Sequence, residues 1–296
     1  MDITILVQKF CDYSLYFKGY SPYTIKGYKD ALRYYRQFAD ITNLDQVTKD
    51  NVRSMFYNGR LERKWSANTF IGFHKRLNVF FRWCQQNQYM DFNPMNDIEV
   101  PKLEKRIPPK LTKENSLKLL EVVFNYPYNF SYLRYRNHAL FATILFAGLR
   151  KKEVKNLMLM DVDIEHLTIF IRQAKGAKDR IIPMSYTLAQ SLSRYLKERK
   201  RLNKSCPNFF VSLNRNMGIT DDCLRNLVRK MKDASNIQFS LHKLRHTFAT
   251  LMLEGGCDIY SLSKMMGHSD IKTTTIYLHA SAEHLRHEMQ KHPLNN

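Results

Sequence analysis

Four prolines and a run of basic residues interrupt the helical pattern of the chain between residues 93 and 110. Proline fixes the backbone angle φ and removes an amide donor, so neither a helix nor a central strand continues through such a stretch. The 296 residues suffice for a separate hydrophobic core on each side of it. We therefore predict two domains, residues 1–92 and 111–296, joined by an extended basic linker over residues 93–110.

The first domain is predicted to consist of helices only. Aromatic and aliphatic residues recur there at helical spacing up to Gly19, and again over residues 23–38, 49–57 and 66–88. Ser21-Pro22 has the form of an N-cap followed by a proline at the first helical position. The aromatic stripe indicates a buried core, and the lysines and arginines beside it form either a solvated face or a face for a ligand.

The second domain is predicted to hold a small sheet among helices. Candidate strands cover residues 162–164, 167–172 and 179–182, and the last two flank a hairpin turn at residues 174–178. Helices are predicted over residues 136–147, 187–202, 220–234, 241–254, 259–266 and 271–278. The predicted fold class is therefore mainly α: a two-domain clamp in which the second, mixed α/β domain carries a small antiparallel sheet.

The charge balance favours a polyanionic partner. The chain carries 47 Lys and Arg against 27 Asp and Glu, which gives a formal net charge of +20. Such an excess favours nucleic acid through counterion release and electrostatic steering. We expect no membrane partner, because no apolar stretch approaches the thickness of a bilayer and no signal-peptide pattern opens the chain. Candidate DNA contacts are basic residues of the fourth helix and of the linker: Lys75, Arg76, Arg82, Lys102, Lys105 and Arg106.

Several residue types in the second domain suit phosphoryl transfer. Cleavage of a phosphodiester by a protein hydroxyl needs forked donors for the nonbridging oxygens, a nucleophile that loses a proton and an acid for the leaving oxygen. Arg245 and Arg150, which is expected at the end of a buried helix, suit the first role because a guanidinium stays charged and matches phosphate geometry. Tyr277 is a candidate nucleophile, and Lys175 is a candidate acid.

His242, Arg245 and His246 share one face of a predicted helix, at spacings of three and four residues. The two histidines have the spacing of a zinc pair, but no acidic residue of a protease motif and no third ligand accompanies them. The five cysteines are scattered without a CxxC pair, so we predict no metal site and expect reduced thiols. We interpret His246 as part of a polar helix face. Glu153 either orients Arg150 or forms a structural ion pair with it.

Six residues of this domain, taken together, resemble the active-site positions of the tyrosine recombinase (phage-integrase) family, and within it the Xer type. They are Arg150, Lys175, His242, Arg245, His268 and Tyr277. The resemblance spans nearly the whole chain and implies a SAM-like, core-binding first domain and a catalytic second domain. It implies that Tyr277 attacks the scissile phosphate to give a 3′-phosphotyrosyl link, and that the arginines and histidines stabilise the charge that develops on the phosphate. By the same resemblance, Lys175 protonates the leaving 5′-oxygen, His242 is the general base, and Glu153 is a supporting acidic residue.

The resemblance also implies partners. Members of the family cut and rejoin double-stranded DNA at inverted-repeat core sites, through a Holliday junction, without ATP, metal or other cofactor. They work as tetramers in which each tail packs onto a neighbour, and a helix predicted over residues 281–292 suits that exchange. We expect a homotetramer, or a heterotetramer with a second recombinase, in the cytoplasm and at the nucleoid of a bacterium or archaeon.

More than one function fits the sequence. A Xer-like enzyme for chromosome or plasmid dimer resolution is favoured, because the first helix begins almost at Met1 and leaves no room for an arm-binding domain. A compact integrase of a mobile element or integron is the alternative. A relaxing enzyme of the type IB topoisomerase kind shares the chemistry without synapsis. Residues 258–277 also have the spacing of a helix-turn-helix, which alone indicates a DNA-binding protein without catalysis.

Overall fold

A computed structural model describes residues 1–103, 109–172, 179–268 and 270–277. The chain divides into two compact units, Met1–Lys105 and Arg106–Asn296. Met95 is 2% exposed and packs in the core of the first unit, so the first residues of the predicted linker belong to that core. Several of the sequence predictions lie outside the described residues: Lys105, Arg106, Lys175, the hairpin turn at residues 174–178 and the tail helix over 281–292.

The secondary-structure elements of the first unit's described residues are all helices, as predicted, joined by turns. Its helices are α1 (Ile3–Asp12), α2 (Pro22–Ala39), α3 (Lys49–Leu61) and α4 (Ala67–Gln86), with short helical turns at Tyr13–Phe17 and Leu44–Gln46. The Ser21 side chain accepts a hydrogen bond from the Thr24 amide at 3.2 Å, and Pro22 opens α2. These contacts confirm the N-cap that the Ser-Pro pair predicts.

Aromatic residues fill the core of the first unit. The ring of Phe10 lies 5.1 Å from that of Tyr28, 5.4 Å from that of Phe80 and 5.5 Å from that of Trp83, between centroids. Such edge-to-face and tilted pairs add to the free energy that burial of their surface supplies. Helix α4 also carries basic side chains that face solvent. Lys75, Arg76 and Arg82 are exposed there, and Lys102 is exposed in the segment beyond.

The second unit is helical with one small antiparallel sheet in its described part. Its elements are α5 (Lys113–Asn125), α6 (Ser131–Ala147), α7 (Lys151–Asn156), a helical turn at Leu159–Asp161, β1 (Val162–Asp163), β2 (Thr168–Ile171), β3 (Arg180–Pro183), α8 (Tyr186–Arg201), α9 (Asp221–Ser235), α10 (Leu241–Glu254), α11 (Ile259–Met266) and α12 (Lys272–Thr275). The strands are hydrogen-bonded in the order β1-β2-β3, and Ile169 pairs with Ile182. The sheet and its strand positions are as predicted.

Helix α6 is the centre of the second unit. Nearly all of its side chains from Ala139 onward are buried, and it packs against α5, α8 and α10. A helical segment that is almost entirely apolar is stable only when neighbours surround it, and this holds for α6 from Ala139 onward, where its sequence has no polar face. None of the described helices has the length and apolar content that crossing a bilayer requires.

Two details of the helices differ from the sequence predictions. The buried helix ends at Ala147 as predicted, where Gly148 turns into the left-handed region, so Arg150 does not end it but is the residue before α7. Helix α12 covers only Lys272–Thr275, which is shorter than the predicted 271–278. The Tyr277 amide bonds to the Thr274 carbonyl, a tightened turn that suits the β-branched run before it. Tyr277 therefore lies in a turn and not in a helix.

Gly148 is required at the end of α6 for two reasons. Its φ of 65° lies in the left-handed region, and a Cβ atom there would come within 2.3 Å of the Phe248 ring. Its carbonyl also accepts a hydrogen bond from the Arg245 guanidinium at 2.6 Å. The absence of a side chain thus lets α6 and α10 approach at the point where Arg245 is fixed.

We predict that Gly148→Ala lowers the free energy of unfolding of the second unit by about 2–4 kcal/mol, from backbone strain and overpacking together. Gly256→Ala is the matched control, because φ there is 87° but a Cβ atom would meet nothing within 4 Å. The control variant should lower the free energy of unfolding only by its backbone strain, about 1 kcal/mol. Urea unfolding followed by circular dichroism measures both; equal losses for the two variants would contradict the packing argument.

Candidate active site

Four segments of the second unit bring the predicted site residues together. Arg150 and Glu153 lie at the start of α7, and His242, Arg245 and His246 lie on α10. His268 and Tyr277 follow α11 and α12. Lys175 lies outside the described residues. The other six predicted residues are connected by hydrogen bonds, ion pairs and ring contacts, in part through Thr274 and His246. They are Arg150, Glu153, His242, Arg245, His268 and Tyr277.

Glu153 is the centre of this group. Its carboxylate accepts hydrogen bonds from the Arg150 amide at 2.7 Å and the Arg150 guanidinium at 2.8 Å. It also accepts two from the Arg180 guanidinium, at 3.0 and 2.9 Å, and lies 3.8 Å from that of Arg245. Burial alone raises the pKa of this carboxyl, but the hydrogen bonds and charges of Arg180 and Arg150 outweigh it and lower the pKa to about 2. Glu153 is therefore ionised and orients Arg150, and it also forms an ion pair with it.

Arg180 is a member of the group that the sequence did not predict. It opens β3, where its side chain is on the same side as buried Ile182, and its Nε donates to the Met265 carbonyl at 2.7 Å. Strand alternation could have indicated it, because an arginine two residues from a core isoleucine faces the interior. A buried guanidinium requires a carboxylate partner, and Glu153 is the acidic residue that the sequence already indicates.

Arg245 is almost completely buried, at 3% exposure, and its donors are fixed in three directions. They bond to the Gly148 carbonyl, to the Met266 carbonyl at 2.7 Å and to the His268 Nε2 at 3.2 Å. Arg150 is more exposed, and its Nη2 donates to the Gly267 carbonyl at 2.8 Å. The residues at the end of α11 thus join the two arginines.

His268 is held in one tautomer. Since Arg245 donates to Nε2, the ring proton is on Nδ1, which donates to the Thr274 hydroxyl at 2.7 Å. Burial, followed by the charges of Arg245, Arg150 and Arg180, lowers the pKa of His268 to about 4. Thr274 is fully buried on α12 and is a second residue that the sequence did not predict. Its position in a run of three threonines gives no signal of which one faces inward.

The Tyr277 side chain is buried, with 2% exposure, against a small cluster that includes Phe248, Leu262 and Met266. Its hydroxyl lies 2.7 Å from His246 Nδ1. Burial raises the pKa of Tyr277, and the charges of Arg245 and Arg150 act in the opposite direction. His246, which the sequence indicates only as part of a polar helix face, therefore contacts the candidate nucleophile.

His242 lies one turn before His246 on α10 and is exposed. The two imidazole centroids are 4.1 Å apart with the rings steeply inclined. Within the described ranges, no three His, Cys, Asp or Glu side chains come together as a metal site would require. The group instead presents two guanidiniums, neutral imidazoles and a phenol, which is a donor set for an anion.

Glu153→Gln should lower the free energy of unfolding by about 3–5 kcal/mol near neutral pH, because it leaves buried guanidinium charges without their carboxylate. The contribution of Glu153 is present above its ordinary pKa of 4.5 and is lost as the pH falls toward about 2. The difference between wild type and variant should therefore shrink on acidification. Urea unfolding from about pH 6 downward measures it, with exposed Glu165→Gln as a control expected to stay within about 0.5 kcal/mol of wild type. A difference independent of pH would contradict the ion-pair assignment.

Comparison with known proteins identifies the family. Residues 109–284 match the phage integrase family, and residues 6–91 match the N-terminal SAM-like domain of phage integrases. The chain belongs to the phage integrase family, that is, to the tyrosine recombinases.

Within that family the chain is similar to Xer recombinases over its full length. It is 32% identical to the tyrosine recombinase XerC of Oceanobacillus iheyensis, covering 99% of this chain and 98% of the relative. It is 30% identical to XerD of Listeria monocytogenes serotype 4b, covering 95% and 96%. Among solved structures, XerA recombinase is 25% identical with a TM-score of 0.55, covering 97% of this chain and 98% of the other. The Tn1549 transposon integrase in complex with circular intermediate DNA shares the fold, with a TM-score of 0.77 at 21% identity and coverage of 99% and 100%.

Proposed function

We propose that this chain is a Xer-like site-specific recombinase that cuts and rejoins double-stranded DNA through Tyr277, and that it resolves chromosome or plasmid dimers. The observation that carries the proposal is that hydrogen bonds fix Arg150, Arg245 and His268 in the same unit that holds a buried, hydrogen-bonded tyrosine hydroxyl. Guanidiniums held in place before the substrate arrives can stabilise charge as it develops on a phosphate.

In the proposed reaction, the Tyr277 oxygen attacks the scissile phosphorus and the bond to the 5′-oxygen breaks. Arg150 and Arg245 donate to the nonbridging oxygens, as their forked geometry allows. Lys175 gives a proton to the leaving 5′-oxygen. The 3′-phosphotyrosyl link conserves the energy of the broken ester, so the 5′-hydroxyl of a partner strand can reverse the step without ATP. Two such exchanges pass through a Holliday junction.

The proposed partner is duplex DNA with an inverted-repeat core site, bound by a homotetramer or by a heterotetramer with a second recombinase. A formal net charge of +20 supports a polyanionic partner. The two-fold symmetry of an inverted repeat suits copies of one chain that bind as related pairs. Because its proposed substrate is chromosomal or plasmid DNA, we propose that the protein acts at the nucleoid, in the cytoplasm.

Covalent capture tests the proposed reaction. Wild-type protein mixed with nicked, fragmented genomic DNA of its source is expected to yield SDS-resistant adducts whose attached ends share one inverted repeat. Tyr277→Phe should bind the same DNA but form no adduct, since it lacks the attacking oxygen. The location of the repeat, in the chromosome or in a mobile element, distinguishes dimer resolution from integration. Adducts that persist in the Phe variant would contradict the role of Tyr277.

The basic side chains of α4 provide a separate test of DNA binding. Alanine at Lys75, Arg76 or Arg82 should reduce the slope of log K against log salt concentration by about 1 for each phosphate that the protein no longer neutralises. Arg33→Ala is the control, because that side chain is also exposed on the first unit but pairs with Asp30. Fluorescence anisotropy with the captured duplex measures the slopes. If all three α4 variants kept the wild-type slope, these side chains would not contact the DNA phosphates.

A further inference from the structure

The hydroxyl of Tyr277 has a specific partner in the structure. His246 Nδ1 lies 2.7 Å from the Tyr277 Oη, at the short end of ordinary hydrogen bonds, and the two ring centroids are 5.4 Å apart. Among the side chains that the structure describes, His246 is the one hydrogen-bonded to this hydroxyl. We propose that His246 is the general base that removes the proton of Tyr277 as the phenol oxygen attacks DNA. This inference rests on the recombinase function proposed above.

The direction of the hydrogen bond follows from the groups around it. A phenol is a stronger donor than acceptor toward a neutral imidazole, so we assign His246 Nδ1 as the acceptor and place its ring proton on Nε2. The groups that act on this ring are His242 and Arg245 of the same helix, Tyr277 and, from beyond α11, His268. Burial first, and then His242 and Arg245, lower the pKa of His246 to about 4. The imidazole is therefore neutral near pH 7 and free to take a proton.

Substrate binding strengthens this base. A phosphodiester held by Arg150 and Arg245 brings a negative charge to the two guanidiniums beside His246. That charge offsets the effect of Arg245 and raises the pKa of the imidazole toward its ordinary value. Proton transfer from Tyr277 thus becomes easier once DNA is bound, while the free protein keeps the phenol protonated. A nucleophile that is activated only by its substrate avoids unproductive reactions in the absence of DNA.

His242, which the family resemblance implies as the base, is placed differently. Its ring is more exposed and contacts the His246 ring at 4.1 Å between centroids. In the described part of the chain, the Tyr277 hydroxyl is hydrogen-bonded to His246 and not to His242. His242 is therefore free to donate to the phosphate, as Arg150 and Arg245 do, while His246 acts on the nucleophile.

The proposed step balances its protons. The Oη–H bond of Tyr277 breaks and the proton moves to His246 Nδ1, while the new Oη–phosphorus bond forms. The bond from phosphorus to the 5′-oxygen breaks, and that oxygen takes a proton from Lys175. On rejoining, the incoming 5′-hydroxyl returns its proton to Lys175, and the His246 imidazolium returns its own proton to Tyr277. The enzyme ends in its starting state.

His246→Asn tests the base directly, because the asparagine oxygen can accept the hydrogen bond of Tyr277 but cannot take its proton. His242→Asn is the matched control on the same helix. The substrate is the captured duplex with a bridging 5′-phosphorothiolate at the scissile bond, whose thiolate leaves without needing an acid. Single-turnover adduct formation then reports activation of the nucleophile alone. We expect His246→Asn to be slower than wild type by about 100- to 10,000-fold near pH 7.

The pH profile separates base catalysis from positioning. Wild type and His242→Asn should lose rate on acidification as His246 becomes protonated, whereas His246→Asn should lack this decline. Incorporating 3,5-difluorotyrosine at position 277, whose phenol ionises at lower pH, should restore much of the His246→Asn rate and change wild type little. Thermal melting and gel shift with the same duplex check that the variant folds and binds.

Two results would overturn the inference. One is a His246→Asn rate within about threefold of wild type, because loss of a general base usually slows a reaction far more than that. The other is a slow His246→Asn variant whose rate still falls on acidification as the wild-type rate does. These outcomes differ from a failure of the recombinase proposal. If wild-type protein itself formed no adduct with the phosphorothiolate duplex, the proposed function would fail. If wild type formed adducts and His246→Asn matched it, only the role of His246 would fail.

Discussion

The carboxylate of Glu153 is the interaction on which the arrangement of the second unit's site depends. It binds Arg150, the residue before its own helix, and Arg180 of β3, and it lies 3.8 Å from Arg245 of α10. Without this anion, guanidiniums at such distances would repel one another in a largely buried environment. The carboxylate therefore draws a helix start, a strand and a second helix to one point. The residues after α11 complete the arrangement by accepting hydrogen bonds from Arg150 and Arg245.

One carboxylate shared by three guanidiniums leaves the site with a positive surplus. That surplus contributes to the lowered pKa of His268 and of His246, so both imidazoles are neutral in the free protein. An anion that enters the site offsets this positive charge. A phosphodiester carries one negative charge, and its two nonbridging oxygens match the forked donors of a guanidinium. The free protein is thus organised for an anion before it arrives, which is the arrangement that stabilises a transition state most effectively.

Most of the fold could be predicted from the sequence, because helical periodicity, an N-cap such as Ser21-Pro22 and the apolar run of α6 are local signals. The missed site contacts depend on distant segments. Arg180 meets Glu153 across 27 residues, and His246 meets Tyr277 across 31. Strand alternation indicates only that Arg180 faces inward, and no local signature shows which residue pairs with it or with Tyr277. The family resemblance therefore indicates the expected residues but not these partners. The end of α12 also differs from the prediction: the helix stops at Thr275, after β-branched threonines of which Thr274 is buried.

The most direct test of the account is a crystal structure of the protein trapped on its target duplex after cleavage. We predict a phosphorus bonded to the Tyr277 Oη, with its nonbridging oxygens within hydrogen-bond distance of both Arg150 and Arg245, and Glu153 still bonded to Arg150 and Arg180. A phosphate attached to another residue, or one held away from the two arginines, would contradict the claim that this group of side chains is a preorganised phosphoryl-transfer site.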